Sequence, residues 1–464
     1  MMHNFRGRVR AALALGAIAS LGAATACSSD RLLSAENPDN IDPSAVNSPA
    51  GAEGLRIGSL AQFRTALLRD DTGGEGILLA SGMLTDEWKN GNTFTQTQEI
   101  DLRNIRVDNL SVEETYRRLN RARVSAIRAI KSLKTYSPTL TANIGQQYFV
   151  RGYTELLISE SYCNGTSLGD ASEATSPDAI AFSEPLSNAK VLEIAIASFD
   201  SALTTLGTAT DANTVNIRNA TLVAKARALV GQGQYDAAAA LVAGVPTSYQ
   251  YQLTFAPTSG YNGVWSLNSS QRRYTVGDSV STAPVSTTEK NSIPFASLND
   301  PRVPVTRTGS SFSTDVPFVR QEIWRGRDSS FALIKGVDAR LIEAEAQLKA
   351  GSYATYFTTM NTIRAGNVNP QTGAAAPLAP LVDPVTDAGR VSQFFREKAL
   401  WQFARGYRLG DLRRLVRQYG RTQDQVFPSG AYFRGSDYGS DVNFPIPQAE
   451  QNNPNSKGCT DRSA

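Results

Sequence analysis

The chain has 464 residues, 41% of them hydrophobic and 19% charged, which is enough apolar material for a large core in one or two domains. Its 46 basic and 43 acidic side chains nearly cancel, leaving a formal charge of +3 and excluding a nucleic-acid binder that works through a basic surface. The only histidine is His3. Ser-His-Asp and Cys-His catalysis are thereby removed from the body of the chain, together with most catalytic zinc sites, which use imidazole ligands. Acidic pairs such as Asp86-Glu87 and Glu343/Glu345 do not rescue catalysis, because residues two apart on a helix diverge and cannot flank one glycosidic bond. The chain reads as a non-enzyme, with no cofactor and no metal motif.

At the amino end, Arg6, Arg8 and Arg10 precede an apolar run from Ala11 to Ala24 that is too short for a ~20-residue membrane span. This is the pattern of an export signal, and its arginines account for the whole basic excess. Ala24-Thr25-Ala26-Cys27 fits either cleavage after Ala-x-Ala or lipid attachment to Cys27. Lipidation is favoured, since the stretch resembles bacterial lipoprotein signals, with Ala24 where Leu is usual. The expected organisation is a signal over 1–26, a polar, Pro-dotted flexible tether over 27–50 and the body over 51–464.

Within the body the apolar spacing predicts helices over 55–69, 142–161, 188–206, 216–231 and 234–243. Ser111-Val-Glu-Glu114 reads as a capping box opening another helix through Leu119, Ala122, Ala126, Ile130 and Leu133. Leu192, Ala195, Phe199, Ala202 and Leu206 form one stripe that needs a facing helix. AKARALVGQGQYDAAAALV (224–242) and IEAEAQLKAGSYATYFTTM (342–360) share small residues, a turn glycine and a following tyrosine, the pattern of a tetratricopeptide helical hairpin. The fold class is therefore mainly α, with helical scaffold at about 51–245 and 331–420 and loop-rich regions at about 246–330 and 421–464. Long irregular segments inside a domain are commonly functional. Besides Cys27 only Cys163 and Cys459 remain; in an exported chain they suggest a disulfide tying the tail to the body, two buried thiols being the alternative.

Four stretches resemble the SusD/RagB family of outer-membrane lipoproteins. They are IGQQYFVRGYTELLISESYCNG (144–165), Asn299-Asp300-Pro301-Arg302, the pair DARLIEAEAQLKAG and TIRAG, and FREKALWQFARGYRLGDLRRL (395–415) with Phe444-Pro445-Ile446-Pro447-Gln448. Asp338 stands where a Glu is common, and Ala404-Arg405 where an acidic pair is typical. The resemblance implies a SusD-like, tetratricopeptide-containing scaffold anchored through Cys27 on the exposed face of the cell outer membrane. It implies a partner, a SusC-like TonB-dependent transporter, and a captured nutrient, glycan or peptide. The alternative is a tetratricopeptide-like envelope scaffold that binds only proteins.

If binding follows the family, it uses aromatic rings in the irregular segments, because a pyranose presents axial C–H groups to a flat ring while its hydroxyls need polar neighbours. The candidates are Trp88 with Asp86, Asn90 and Asn92, then Tyr261, Trp265 and Asn268, and lastly Tyr432 and Phe433. Trp401 reads as core. Charged residues of the helical motifs read as structural: Arg408 with Asp411, a network of Arg396, Glu397 and Arg405, and Glu345 reaching Arg364. Arg413, Arg414 and Arg417 read as a solvated face.

Overall fold

A computed structural model describes residues 47–69, 74–169, 182–256, 260–278 and 289–464. The signal, Cys27 and most of the expected tether lie outside these residues. Helix α1 (Pro49–Leu68) starts earlier than apolar spacing indicates. The reason is local: the Ser48 hydroxyl accepts the Gly51 N–H at 3.0 Å, and proline is preset for the first helical position.

Ala52–Ala464 forms one unit. Helix α2 (Ile77–Leu84) is buried on every side, as an all-apolar helix must be. Strand β1 (Trp88–Asn90) and helix α3 (Thr95–Asp101) lead into a run of long helices: α4 (Leu110–Tyr136), α5 (Thr141–Ser161), α6 (Asn188–Leu206), α7 (Ala212–Gly231) and α8 (Tyr235–Val242). The capping box expected at Ser111 does not start α4. Asn109 caps it, accepting the Val112 N–H at 3.1 Å, while Glu114 turns to Arg118 at 2.8 Å. All five stripe residues of α6 are buried. They meet α5, where glycines admit them: a Cβ on Gly152 would stand 2.8 Å from the Phe199 ring, and one on Gly145 2.6 Å from Leu206.

The two similar hairpins are α7–α8 and α9 (Gly336–Lys349)–α10 (Tyr353–Ala365). Their turn glycines, Gly233 and Gly351, have φ of 77° and 68°, a region that strains any side-chain-bearing residue. Although 118 residues separate the copies in sequence, α8 packs directly on α9, so the hairpins stack as neighbouring repeats. The intervening excursion is pinned at its base. Strand β2 (Gln250–Leu253) leaves α8 and pairs antiparallel with β6 (Phe331–Lys335), which runs straight into α9. Beyond that base the irregular region forms a π-turn (Trp265–Ser270), β3 (Tyr274–Val276), β4 (Val305–Ser310) and β5 (Pro317–Gln321), with β3 paired to β1 and β4 to β5. Helices α11 (Asp387–Trp401) and α12 (Arg408–Tyr419) close the scaffold.

Buried ion pairs join these layers, and several differ from the pairs that sequence spacing offers. Arg408 forks onto Asp86, 2.7 Å to each oxygen, and not onto Asp411. Asp411 instead holds Lys398 and Arg414, each at 2.8 Å, and Arg414 also grips Glu345 at 2.6 Å. Arg364 pairs with Glu397 at 2.5 Å, and Glu397 in turn receives Arg302 at 2.7 Å, whose remaining donors clasp Asp300. Arg405 binds Asp338 at 2.5 Å. Burial opposes the Asp338 charge, but Arg405 outweighs it and holds the carboxyl below its usual range. Arg413 and Arg414 are buried and not a solvated face: Arg413 donates to the carbonyls ending α5, at 3.1 Å to Ser159 and 2.7 Å to Glu160.

Cys163 and Cys459 are joined by a disulfide, with Cα atoms 5.7 Å apart. The tail is also hydrogen-bonded along the end of α5: the Cys163 N–H donates to Phe444 at 2.9 Å and the Asn164 N–H to Asp461 at 3.1 Å. Among the described residues no helix is long and apolar enough to cross a membrane.

Glu87, next to β1, is buried and accepts the Ala404 N–H at 2.8 Å. Burial pushes its carboxyl up to about 8, against that hydrogen bond. The folded chain therefore holds a proton that the unfolded chain releases near pH 4.5. Stability from this group is complete below that pH and is lost as pH rises toward 8, by up to about 1.4 kcal/mol per pH unit. Urea unfolding of wild type and Glu87→Gln from pH 5 to 8 should show the wild type losing stability relative to the variant as pH rises. A constant difference would show that Glu87 is ionised in the fold.

Candidate functional site

The β1–β3 pair brings together three of the sequence candidates' segments, but mostly as a buried platform. Trp88 is fully buried, with ring centroids 6.2 Å from Tyr274 and 5.2 Å from Phe403. It packs the core and presents no ring to a ligand. Asp86 is taken by Arg408 and by the Ile293 N–H at 2.7 Å. Asn268 is consumed by backbone: its amide donates to Tyr274 at 2.8 Å and Val319 at 3.1 Å, and its oxygen accepts from Gln321 at 2.9 Å. Tyr432 is buried and donates to Asp101 at 3.1 Å. These placements correct the expectation that Trp88, Asp86, Asn268 and Tyr432 face a ligand. Polar groups at such depth need internal partners, and the fold supplies them to Asp86, Asn268 and Tyr432, while the Trp88 indole N–H has none among the described residues.

Asn90 and Asn92 are buried too, and their placement gives them a different job. Asp101 accepts the Asn90 N–H at 2.7 Å. The Asn90 side chain accepts the Asn92 N–H at 3.1 Å, and the Asn92 side chain accepts both the Phe94 N–H at 2.6 Å and the Thr97 hydroxyl at 2.9 Å. This chain of bonds fixes the turn that lifts Phe94 out of the fold. Burial raises the Asp101 carboxyl to about 6, with Lys89 opposing. Arg434 ties the second loop region to the same turn by donating to the Asn92 carbonyl at 3.0 Å, and its guanidinium lies 5.5 Å from the ring of half-buried Phe433. Tyr261 and Trp265 are half-buried, Tyr261 beside Arg327 with 5.4 Å from guanidinium to ring.

Three phenylalanine rings among the described residues are exposed, Phe94 at 46%, Phe182 at 51% and Phe312 at 51%, and Phe94 and Phe312 form a pair. They lie more than two hundred residues apart in sequence and meet over one cation. The Arg273 guanidinium stands 4.7 Å from the Phe94 centroid and 5.2 Å from the Phe312 centroid, a cation held between two π faces. Phe312 is positioned by its N–H, which donates to Arg272 at 2.9 Å, and its neighbour Ser313 donates to Gly91 at 2.7 Å. A cleft of about 590 Å³ opens beside Phe94 and Arg273, walled by the amino-terminal half of α4 and floored by Arg69 and Glu75. Exposed aromatic rings with nearby guanidinium donors suit a polyhydroxylated ligand that stacks and accepts hydrogen bonds. Phe94 ends TDEWKNGNTF, the stretch that carries Trp88, Asn90 and Asn92, but it has none of the polar character that marks those asparagines. Phe312 has no polar motif beside it that singles it out.

No family model matches the chain, and no curated protein sequence matches it. Its fold does match solved structures. A SusD superfamily protein from Bacteroides fragilis superposes with a TM-score of 0.65 at 16% identity, over 88% of this chain and 99% of that one. A SusD-like carbohydrate-binding protein from Bacteroides vulgatus gives 0.62 at 11% identity, over 88% and 97%. Another so described, from Bacteroides fragilis, gives 0.62 at 14% identity, over 89% and 99%. The chain therefore has the SusD-like helical fold over nearly all of its described length.

Proposed function

We propose that this protein is a non-catalytic glycan-capturing lipoprotein of the outer membrane, tethered through Cys27, which passes its ligand to a SusC-like TonB-dependent transporter. The observation that carries the reading is the exposed Phe94–Arg273–Phe312 cluster on a SusD-like fold. Solved proteins of that fold described as carbohydrate-binding support a glycan over a peptide. An acylated Cys27 supplies the anchor, each buried methylene adding about 0.8 kcal/mol.

Calorimetric titration of the chain lacking its lipid against a panel of neutral and acidic oligosaccharides tests the reading. At about 1 kcal/mol per stacked ring, Phe94→Ala and Phe312→Ala should each weaken binding roughly fivefold, and the double variant roughly thirtyfold. Trp88→Ala is the contrast, acting on stability. Heat with protein partners but with no glycan would favour a scaffold that binds only proteins.

A further inference from the structure

The cleft beside Phe94 is strongly basic. Arg69, Arg117, Arg118, Arg121 and Arg273 line it against two carboxylates, Glu75 and Glu114. Glu114 is spent on Arg117 and Arg118. Glu75 is buried with one oxygen unpartnered, and burial pushes its carboxyl up against the nearby arginines. The amino end of α4, with its dipole's positive pole, opens at Leu110 and Ser111 into the same space. Asp70 and Asp71 follow Arg69 in sequence and lie outside the described residues.

The basic lining does not stop at the cleft. Arg117 and Arg121 also line a second groove of about 530 Å³ that continues along α4 to Arg128 and is closed on its far side by Pro447 and Glu450. Arg121 and Arg128 are exposed, and neither has an ion pair or hydrogen bond among the described residues. On a helix rising 1.5 Å per residue, Arg117, Arg121 and Arg128 mark points about 6 Å and then about 10 Å apart along one face. Guanidinium forks repeated along a groove match an oligomer with repeated anions better than a single charged sugar.

Resting on the glycan-capture reading, we infer that the ligand is an acidic oligosaccharide, bearing uronate carboxylates or sulfate esters. One sugar stacks at Phe94 and Phe312 while successive anionic groups engage Arg121 and Arg128 along α4. Its length is read by the helix, and its charge by arginines that the fold does not otherwise use.

The test is calorimetry with four probes of matched length: an oligogalacturonate, a sulfated oligosaccharide, a neutral oligosaccharide and oligoglutamate. Wild type and Arg121→Ala/Arg128→Ala are compared at low and high salt, and circular dichroism checks that the variant is folded. An acidic glycan should bind at least tenfold more tightly than the neutral one, lose most of that advantage in the variant, and weaken with salt. Which acidic glycan does so separates carboxylate from sulfate. A neutral glycan bound as tightly as the acidic ones, and equally well by the variant, would overturn the inference while leaving glycan capture intact. Binding of oligoglutamate alone, or of no probe, would overturn the capture reading itself.

Discussion

Asp86→Ala is expected to lower the free energy of unfolding by about 3–5 kcal/mol, because it leaves the Arg408 guanidinium buried without its counter-ion. Asp86 is fully buried and Arg408 is 6% exposed, so water cannot replace the lost bonds. The carboxylate also accepts the Ile293 N–H at 2.7 Å on Oδ2, one of the two oxygens that hold Arg408, which ties the irregular segment to the scaffold. Urea denaturation measures the loss. Replacing both partners, as Asp86→Ala/Arg408→Met, should cost less than the two single losses summed, since no orphan charge remains. A residue that contacted ligand would instead weaken binding and leave the urea midpoint where it was. A shift below about 1 kcal/mol would show the pair to be exposed or dispensable.

Cys459→Ser is expected to have a comparable effect. The bond spans 296 residues, and closing so long a loop restricts the unfolded chain by about 5.7 kcal/mol in the chain-entropy model. Loss of the bond also frees the tail to peel from the end of α5. That tail is otherwise held by hydrogen bonds such as Asn443 to Arg462 at 3.0 Å and by the Arg462–Asp441 pair at 2.6 Å. Thermal unfolding of the wild type with and without reductant, beside the variant, reads the effect. Wild type with reductant should match the variant, and limited proteolysis should first clip the variant beyond residue 443. A variant as stable as the oxidised wild type would mean that the local hydrogen bonds alone secure the tail.

The helices were legible because burial writes a period into them. The stripe from Leu192 to Leu206 needs nothing but spacing, and the paired tetratricopeptide stretches announce two hairpins through Gly233 and Gly351. What spacing does not carry is partner choice across distance. Arg408 prefers Asp86, 322 residues away, to Asp411 on its own helix, and Arg414 takes Glu345 from a neighbouring helix. A local rule finds only local pairs. The start of α4 failed for a smaller reason: Asn109 supplies the cap two residues before Ser111, and Glu114 is drawn off by arginines one turn further on.

The candidate site was legible as a region and not as a surface. The polar loop residues whose chemistry suits a sugar, Asn90, Asn92 and Asn268, satisfy the backbone of the platform, which is what buried irregular chain requires. The ring they hold up is Phe94, and its companion Phe312 comes from a hairpin more than two hundred residues later. Nothing in one dimension signals that two phenylalanines will share an arginine.

Saturation-transfer NMR on an oligosaccharide mixed with the full soluble domain tests the central claim most directly. Irradiating the aromatic protons should transfer saturation to the sugar's axial C–H protons, the transfer at a fixed sugar concentration should fall sharply in Phe94→Ala/Phe312→Ala, and the sugar should be recovered at its original length. Equal transfer in the double variant, or a shortened oligosaccharide, would contradict it.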